Sequence, residues 1–315
     1  MKPKVSIIGC GNVGTRYAYA LTIKGLARQI VLVDIDQERL EGEFMDLSHG
    51  APYTPPVKIK AGKYEDVKNS DLIVITAGKN QEPGESRLDL IDKNVKLFKD
   101  IIPKIKKFAP NSVYLVVSNP VDILSYATYK ISGKPENEVI GSGTTLDTSR
   151  FRYLLGKKCN MNAKNIHAYI LGEHGDSEFA VWSRALVGGM FFTDYFLTCH
   201  EIQEQESEDL FRDIFQQVKH SAYTIIDKKG ETSYGIGLAL ARISQAILND
   251  ENTILPVSTL IKGYLGVDDI YLSLPAVLNR EGVSRVLEIE LNQEEKQKFQ
   301  ESAEKLKKTI ENVKL

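Results

Sequence analysis

In the first half of the chain, short runs of β-branched and other apolar residues alternate with longer segments whose apolar positions recur every three or four residues. The runs at 5–8, 30–33, 57–61, 72–76, 113–117 and 139–141 read as strands apolar on both faces, the pattern of a buried parallel sheet. Between them, 88–108 places Leu90, Ile91, Val95, Phe98, Ile101, Ile102 and Ile105 on one helical stripe. Strand and helix in alternation predict a parallel, doubly wound sheet.

After about Gly143 the pattern changes. A helical stretch runs through Lys158, a strand occupies 166–171, and a long polar helix is expected around 198–229. The runs 253–262, 270–278 and 283–290 are joined by turn residues such as Val267-Asp268-Asp269 and Arg280-Glu281-Gly282, which predicts antiparallel strands. The last segment opens with Asn292 as N-cap and Glu295 three residues on, then carries Phe299, Ala303, Leu306, Ile310 and Val313 at helical spacing. The expected fold is therefore α/β: a doubly wound parallel sheet over 1–143, then an α+β domain with antiparallel strands over 144–315. No low-complexity linker separates the two, so they should be tightly joined.

Composition narrows the function. The 315 residues are 42% hydrophobic and 26% charged, ordinary for a globular protein large enough for two domains. A formal net charge of −2 offers no basic field for nucleic acid or an anionic membrane. Cys10, Cys159 and Cys199 are too scattered for a disulfide framework or a zinc site, so no metal is expected and a reducing compartment fits. Strand-like sequence from Lys4 leaves no room for a secretory leader, and no apolar stretch approaches the ~18 residues of a membrane span, so a cytoplasmic location is expected.

Gly9-Cys10-Gly11-Asn12-Val13-Gly14 follows the first strand directly and opens a helix. The glycines permit a tight turn and close backbone approach, and the helix N-terminus offers amides and positive dipole to a pyrophosphate. Twenty residues beyond Gly14, at the end of the second strand, Asp34 can accept hydrogen bonds from ribose hydroxyls and would repel a 2′-phosphate. This is a Rossmann-type site for NAD rather than NADP.

In such a sheet, ligands bind beyond the carboxyl ends of the strands. Three polar clusters follow strands there: the 80–87 loop with Pro83-Gly84 at its centre and Arg87 at its end, Ser118-Asn119-Pro120-Val121-Asp122, and Ser142 followed by Asp147-Thr148-Ser149-Arg150. Asp147 and Arg150 share one helical face. The chain has five histidines, and only His174 sits in a glycine-framed turn between carboxylates, Leu171-Gly172-Glu173-His174-Gly175-Asp176. Histidine is the side chain able to give or take a proton at neutral pH without special tuning.

These motifs, in this order along nearly the whole chain, resemble the lactate/malate dehydrogenase family, and within it the bacterial L-lactate dehydrogenases. The resemblance implies His174 as acid/base, Asp147 as its orienting carboxylate, Arg150 as clamp on a substrate carboxylate, and Arg87 as a lid cation polarising the carbonyl. It places Asn119 and Thr232 in the substrate pocket with Gln81 and Arg87 of the lid. It places Gly9, Gly11, Asn12, Val13, Gly14, Asp34, Ser118, Asn119, Ser142 and Ile236 against NAD. The implied reaction is reversible reduction of pyruvate to L-lactate, in a homo-oligomer, a tetramer. Many bacterial members respond to fructose 1,6-bisphosphate through residues corresponding to Arg152 and His167; a structural ion pair at an interface is the other reading of those two.

The family's malate enzymes carry arginine where this chain has Gln81. A second substrate carboxylate closed under the lid without a cation costs several kcal/mol, and each 1.4 kcal/mol is tenfold in discrimination. The alternatives that remain are a broader L-2-hydroxyacid dehydrogenase, a malate dehydrogenase, and a non-catalytic dinucleotide-binding subunit. Replacing Gln81→Arg is expected to move relative kcat/KM toward oxaloacetate by tenfold or more; an unchanged ratio of the two ketoacids refutes this role.

Overall fold

The computed structural model describes residues 3–79, 84, 85, 87–200 and 204–313, with the side chains of Arg87, His200 and 204–207 outside the described set. Gln81 and the side chain of Arg87 therefore lie outside the described residues. Six strands, β1 (Lys4–Ile8), β2 (Gln29–Val33), β3 (Lys58–Ala61), β4 (Leu72–Ile75), β5 (Val113–Val116) and β6 (Val139–Gly141), form a parallel sheet in the order β3-β2-β1-β4-β5-β6. The connecting helices are α1 (Asn12–Lys24), α2 (Gln37–His49), α3 (Arg87–Phe108) and α4 (Val121–Ser132). Order and crossovers are those of the doubly wound fold read from the periodicity.

Every residue of β4 and β5 is buried, as their unbroken apolar runs require. The exception is β3, expected to be covered on both faces. It is an edge strand alternating exposed and half-buried, with Lys58 and Lys60 on its open face, where charge blocks pairing with another chain. Ile8 pairs with Val33 on one side and Ile75 on the other, and Ile75 in turn with Val116. The carboxyl ends of these strands thus share one rim, and the loops carrying Gly9–Gly11, Asp34 and Asn119 all leave from it.

Beyond α5 (Thr145–Lys158), strands β7 (Ile166–Leu171), β8 (Phe179–Val187) and β9 (Met190–Phe191) make a small antiparallel sheet. The expected long helix is two in the described residues, α6 (Phe192–His200) and α7 (Glu204–Lys229). Neither β8 nor α8 (Tyr234–Leu248) was evident in the sequence pattern. Helix α8 packs on α1 and is buried at Gly237 and at most positions from Ala239 to Leu248, while its outward face begins with exposed Tyr234 and Leu238, so only Arg242 and Gln245 mark a polar stripe. The last helix, α9 (Gln293–Glu311), has the expected capping box: Asn292 accepts from the Glu295 N–H, and Glu295 accepts from the Asn292 N–H. Glu295 also takes the hydroxyl and N–H of Ser183, hooking the helix to β8. No described helix is long and apolar enough to cross a membrane.

The late strands β10 (Thr253–Lys262), β11 (Asp268–Asn279) and β12 (Gly282–Val286) are antiparallel, as expected. They do not stand apart, however. Ser258 of β10 bridges Gly141 of β6, extending the first sheet to nine strands. Gly143 sits at this seam with φ +52°, and a Cβ there would lie 2.4 Å from the Ser258 nitrogen and 2.6 Å from Ser273 Oγ. Gly143→Ala is expected to lower stability by about 2 kcal/mol or more, against about 1 kcal/mol for Gly84→Ala, which is also left-handed but opens on free space. Equal urea midpoints for the two variants would contradict the close approach at the seam.

Candidate active site

The glycine turn joins β1 to α1, and its three glycines serve different ends. A Cβ on Gly9 would meet the Ala77 backbone at 2.4 Å, and one on Gly14 the Gly9 carbonyl at 2.1 Å. Those two are required by the protein's own packing. A Cβ on Gly11 would meet nothing within 4 Å. Gly11 is the N-cap of α1 and supplies no side-chain cap, so the first amides of the helix face that open space. A cradle with bare amides, a positive dipole end and room for an anion fits a pyrophosphate.

Asp34, just past β2, accepts the Cys10 N–H at 2.5 Å through Oδ2 and the Asp36 N–H at 3.0 Å through Oδ1. The acid is thereby tied to the cradle, half-buried, at the position where a ribose would follow a pyrophosphate. Arg39, which the sequence did not single out, reaches from α2 to Asn12 Oδ1 at 3.0 Å. Only tertiary placement brings that cation to the mouth of the turn.

A cavity of about 540 Å³ adjoins the cradle and is lined by Val13, Asn119, Ser142, Asp147, Arg150, His174, Thr232 and Ile236 among others. The sequence-predicted residues of five separate segments thus meet in one space. Ser118 does not line it: its hydroxyl donates to the Ala77 carbonyl at 2.6 Å beneath the rim. Asn94 of α3, fully buried, accepts the Lys79 N–H at 2.7 Å and donates to the Asn119 carbonyl at 3.1 Å. It thereby ties Lys79 to the Asn119 segment. A second cavity of similar size, around His220 between α5 and α7, holds none of the predicted site residues.

His174 lies in the turn between β7 and β8. Its Nδ1 is 2.6 Å from Asp147 Oδ2, and Asp147 Oδ1 accepts from Arg150 Nη1 at 2.7 Å. Asp147 is 3% exposed, so its charge depends on these two partners. Burial would raise the Asp147 carboxyl, but His174 and then Arg150 outweigh it and hold it below the usual range. Burial likewise opposes charge on His174, yet Asp147, with Glu178 and Asp122 behind it, raises the imidazole to about 9. With Nδ1 on the carboxylate, Nε2 is the nitrogen left to face the cavity.

Two further cavity residues were not visible as site residues in the sequence. Glu178, 7% exposed, is pushed up to about 8 by burial and by Asp147. It therefore adds little negative charge to the cavity at pH 7. Lys219 enters from α7, distant in sequence, and faces it. Asp147, His174 and Glu178 bring ligand-type atoms within 4.8 Å of one another. Both Asp147 oxygens are already engaged and Arg150 and Lys219 flank the group, which leaves it poorly suited to a cation.

Arg152 and His167 lie elsewhere. Arg152 donates to the Ala168 carbonyl at 2.9 Å and covers the Tyr169 ring, while His167 is exposed on β7.

Comparison with known proteins agrees with this geometry. Residues 3–141 match the NAD binding domain of lactate/malate dehydrogenase, and 144–315 its alpha/beta C-terminal domain. The chain is 48% identical to L-lactate dehydrogenase 1 of Clostridium acetobutylicum, covering 98% of each protein. It is 50% identical to an L-lactate dehydrogenase of Thermoanaerobacter sp. (strain X514), over 98% of this chain and 99% of that one. The fold superposes with TM-score 0.95 and 40% identity on the minor L-lactate dehydrogenase of Enterococcus mundtii in ligand-bound form, over 100% and 99% of the two chains. A lactate dehydrogenase from a Medee basin deep-sea metagenome gives TM-score 0.94 and 45% identity, over 99% of each.

Because space around Gly11 is open and its φ of −72° suits any residue, Gly11→Ala should fold normally. Its urea midpoint is expected to match the unaltered protein, while its affinity for NADH, read by fluorescence titration, falls tenfold or more, about 1.4 kcal/mol. Unchanged affinity would show that the cradle does not hold the dinucleotide.

Proposed function

The chain belongs to the lactate/malate dehydrogenase family, and from that premise we propose that it is an L-lactate dehydrogenase, using NAD to interconvert pyruvate and L-lactate in the cytoplasm. The observation that carries this reading is the buried Asp147–His174 couple at a cavity that Arg150 also lines, next to a cradle fit for a dinucleotide.

Bound NAD supplies the two-electron hydride chemistry. Everything else falls to the chain. Arg150 pairs with the substrate carboxylate, for which guanidinium offers a two-point match that lysine lacks, and so orients C2. His174 holds a proton on Nε2 and gives it to the C2 oxygen as negative charge builds there; in the reverse direction it takes the proton back. Asp147 keeps the ring in the right tautomer and stabilises its charged form. Asn119 and Thr232 shape the pocket around the reacting carbon. Arg87 and Gln81 belong to the lid: the first polarises the carbonyl, and the second, being neutral, disfavours a second carboxylate. Closure over the cavity excludes water and strengthens each charge contact.

The neutral Gln81 favours pyruvate over oxaloacetate, while longer 2-oxo acids differ by only about 1–3 kcal/mol of pocket fit. The division of labour runs near residue 143, with 1–143 holding the dinucleotide and 144–315 most of the substrate machinery. The same reading includes assembly as a tetramer and a response to fructose 1,6-bisphosphate at Arg152 and His167.

The test is NADH oxidation by the purified protein with pyruvate, oxaloacetate and longer 2-oxo acids. Pyruvate is expected to give the highest kcat/KM. The rate should hold through neutral pH and fall as pH rises through about 9, where His174 loses its proton. His174→Asn should cost about 10²–10⁴-fold. Failure to oxidise NADH with pyruvate, with or without the bisphosphate, overturns the assignment; no change in apparent KM on adding the bisphosphate removes its site alone.

A further inference from the structure

Asp122 takes no part in the reaction just described, yet it touches the residue at its centre. It is the second residue of α4, three positions after the pocket residue Asn119, and is 2% exposed. Its partners are neutral donors: Oδ2 accepts the backbone N–H of His174 at 2.8 Å, and Oδ1 accepts the hydroxyl of Ser258 at 2.5 Å. Ser258 is the β10 residue that bridges Gly141 at the seam. One carboxylate thus joins the rim of the parallel sheet, the histidine turn and the late antiparallel strands.

Burial pushes the Asp122 carboxyl up to about 6, against the hold of Ser258 and His174. It is still ionised at neutral pH, helped by its place in the first turn of α4, where the helix dipole favours negative charge. His174 is consequently gripped at both ends. Asp147 holds its ring from α5, and Asp122 holds its backbone from α4.

The two carboxylates also act on the ring's proton, Asp147 by contact and Asp122 through space. The other charged or titratable groups near this pair among the described residues are Arg150 from α5, Glu173, Asp176 and Glu178 of the turn itself, Lys219 from α7, and Lys305 from α9, which pairs with Glu173 and Asp176. The three cations oppose a proton on the ring.

Resting on the acid/base role proposed for His174, we propose that Asp122 is a positioning residue for it. Its carboxylate sets the place of the His174 backbone, and its negative charge helps the ring keep the proton destined for the substrate.

The experiment reads the ring directly. Diethyl pyrocarbonate acylates only neutral imidazole, so the rate of His174 modification in the full-length protein against pH, followed by peptide mass spectrometry, gives the midpoint of its titration. The unaltered protein should titrate near 9. Asp122→Asn, nearly the same shape without the charge, should lower that midpoint by about one unit. Ser258→Ala removes one donor but keeps both the charge and the His174 bond, and should leave it in place. An unmoved midpoint in Asp122→Asn, or equal drops in both variants, overturns the proposal and marks Asp122 as a packing element only.

If Asp122→Asn does not accumulate as folded protein, Ser258→Ala carries the test alone. With a donor lost, Asp122 protonates at higher pH, so modification at about pH 6.5 should run several-fold faster than in the unaltered protein. An unaltered rate there overturns the proposal. None of these readings needs substrate or NADH, so they stand apart from the outcome of the pyruvate assay.

Discussion

A carboxylate removed from water has to be answered by positive charge or by donors, and Asp147 places that demand on everything around it. At 3% exposure it cannot remain ionised unaided. Arg150, one turn further along α5, answers one oxygen, and His174 answers the other. The distances of 2.7 and 2.6 Å leave no room for the histidine turn to sit elsewhere. What looks like a catalytic couple is first a solution to a burial problem, and the protonated imidazole is the form that solves it. The energy that keeps the proton on the ring is the same energy that keeps Asp147 tolerable in the interior.

The solution works only if two distant parts of the chain are held in register. Asp147 follows β6, whereas His174 follows β7 in the other sheet. Several short polar contacts pin them together. Thr144 donates its N–H to Ser273 and its hydroxyl to the Ile170 carbonyl, and Gly172 forms a bridge with Ser273. Gly141 and Gly143 allow β10 to approach β6 closely enough for Ser258 to reach Asp122. Small residues dominate this seam because the backbones themselves must touch.

Much of this was legible in the sequence wherever a contiguous motif encodes it. Gly9–Gly14 and Asp34 lie at the ends of the first two strands, and their physical reason, turn and charge, can be read from neighbouring residues. Asp147, Arg150 and His174 could be read because each follows a strand, at the rim where ligands gather. The roles of Glu178, Lys219 and Asn94 could not, since they arise from packing between segments far apart in the chain. The edge position of β3 was missed for a related reason. Val57, Ile59 and Ala61 look like one more buried strand until the order of the sheet shows that nothing lies beyond them. Helix α8 escaped because the first turns of its outward face carry Tyr234 and Leu238 in place of polar residues, which blurs the amphipathic period that marks a helix.

The continuity of the nine-stranded sheet also bears on how this chain can be divided. The change of texture near residue 143 looks like a place to cut. Yet a fragment ending there would present β6 with its outer edge unpaired, an open row of amides and carbonyls of the kind that recruits other chains. The other fragment would carry β10 with its own edge open, and an Asp122-less histidine turn. Each piece would carry an exposed edge that the whole chain covers, so the shared sheet makes one unit of the two halves, however separable their tasks.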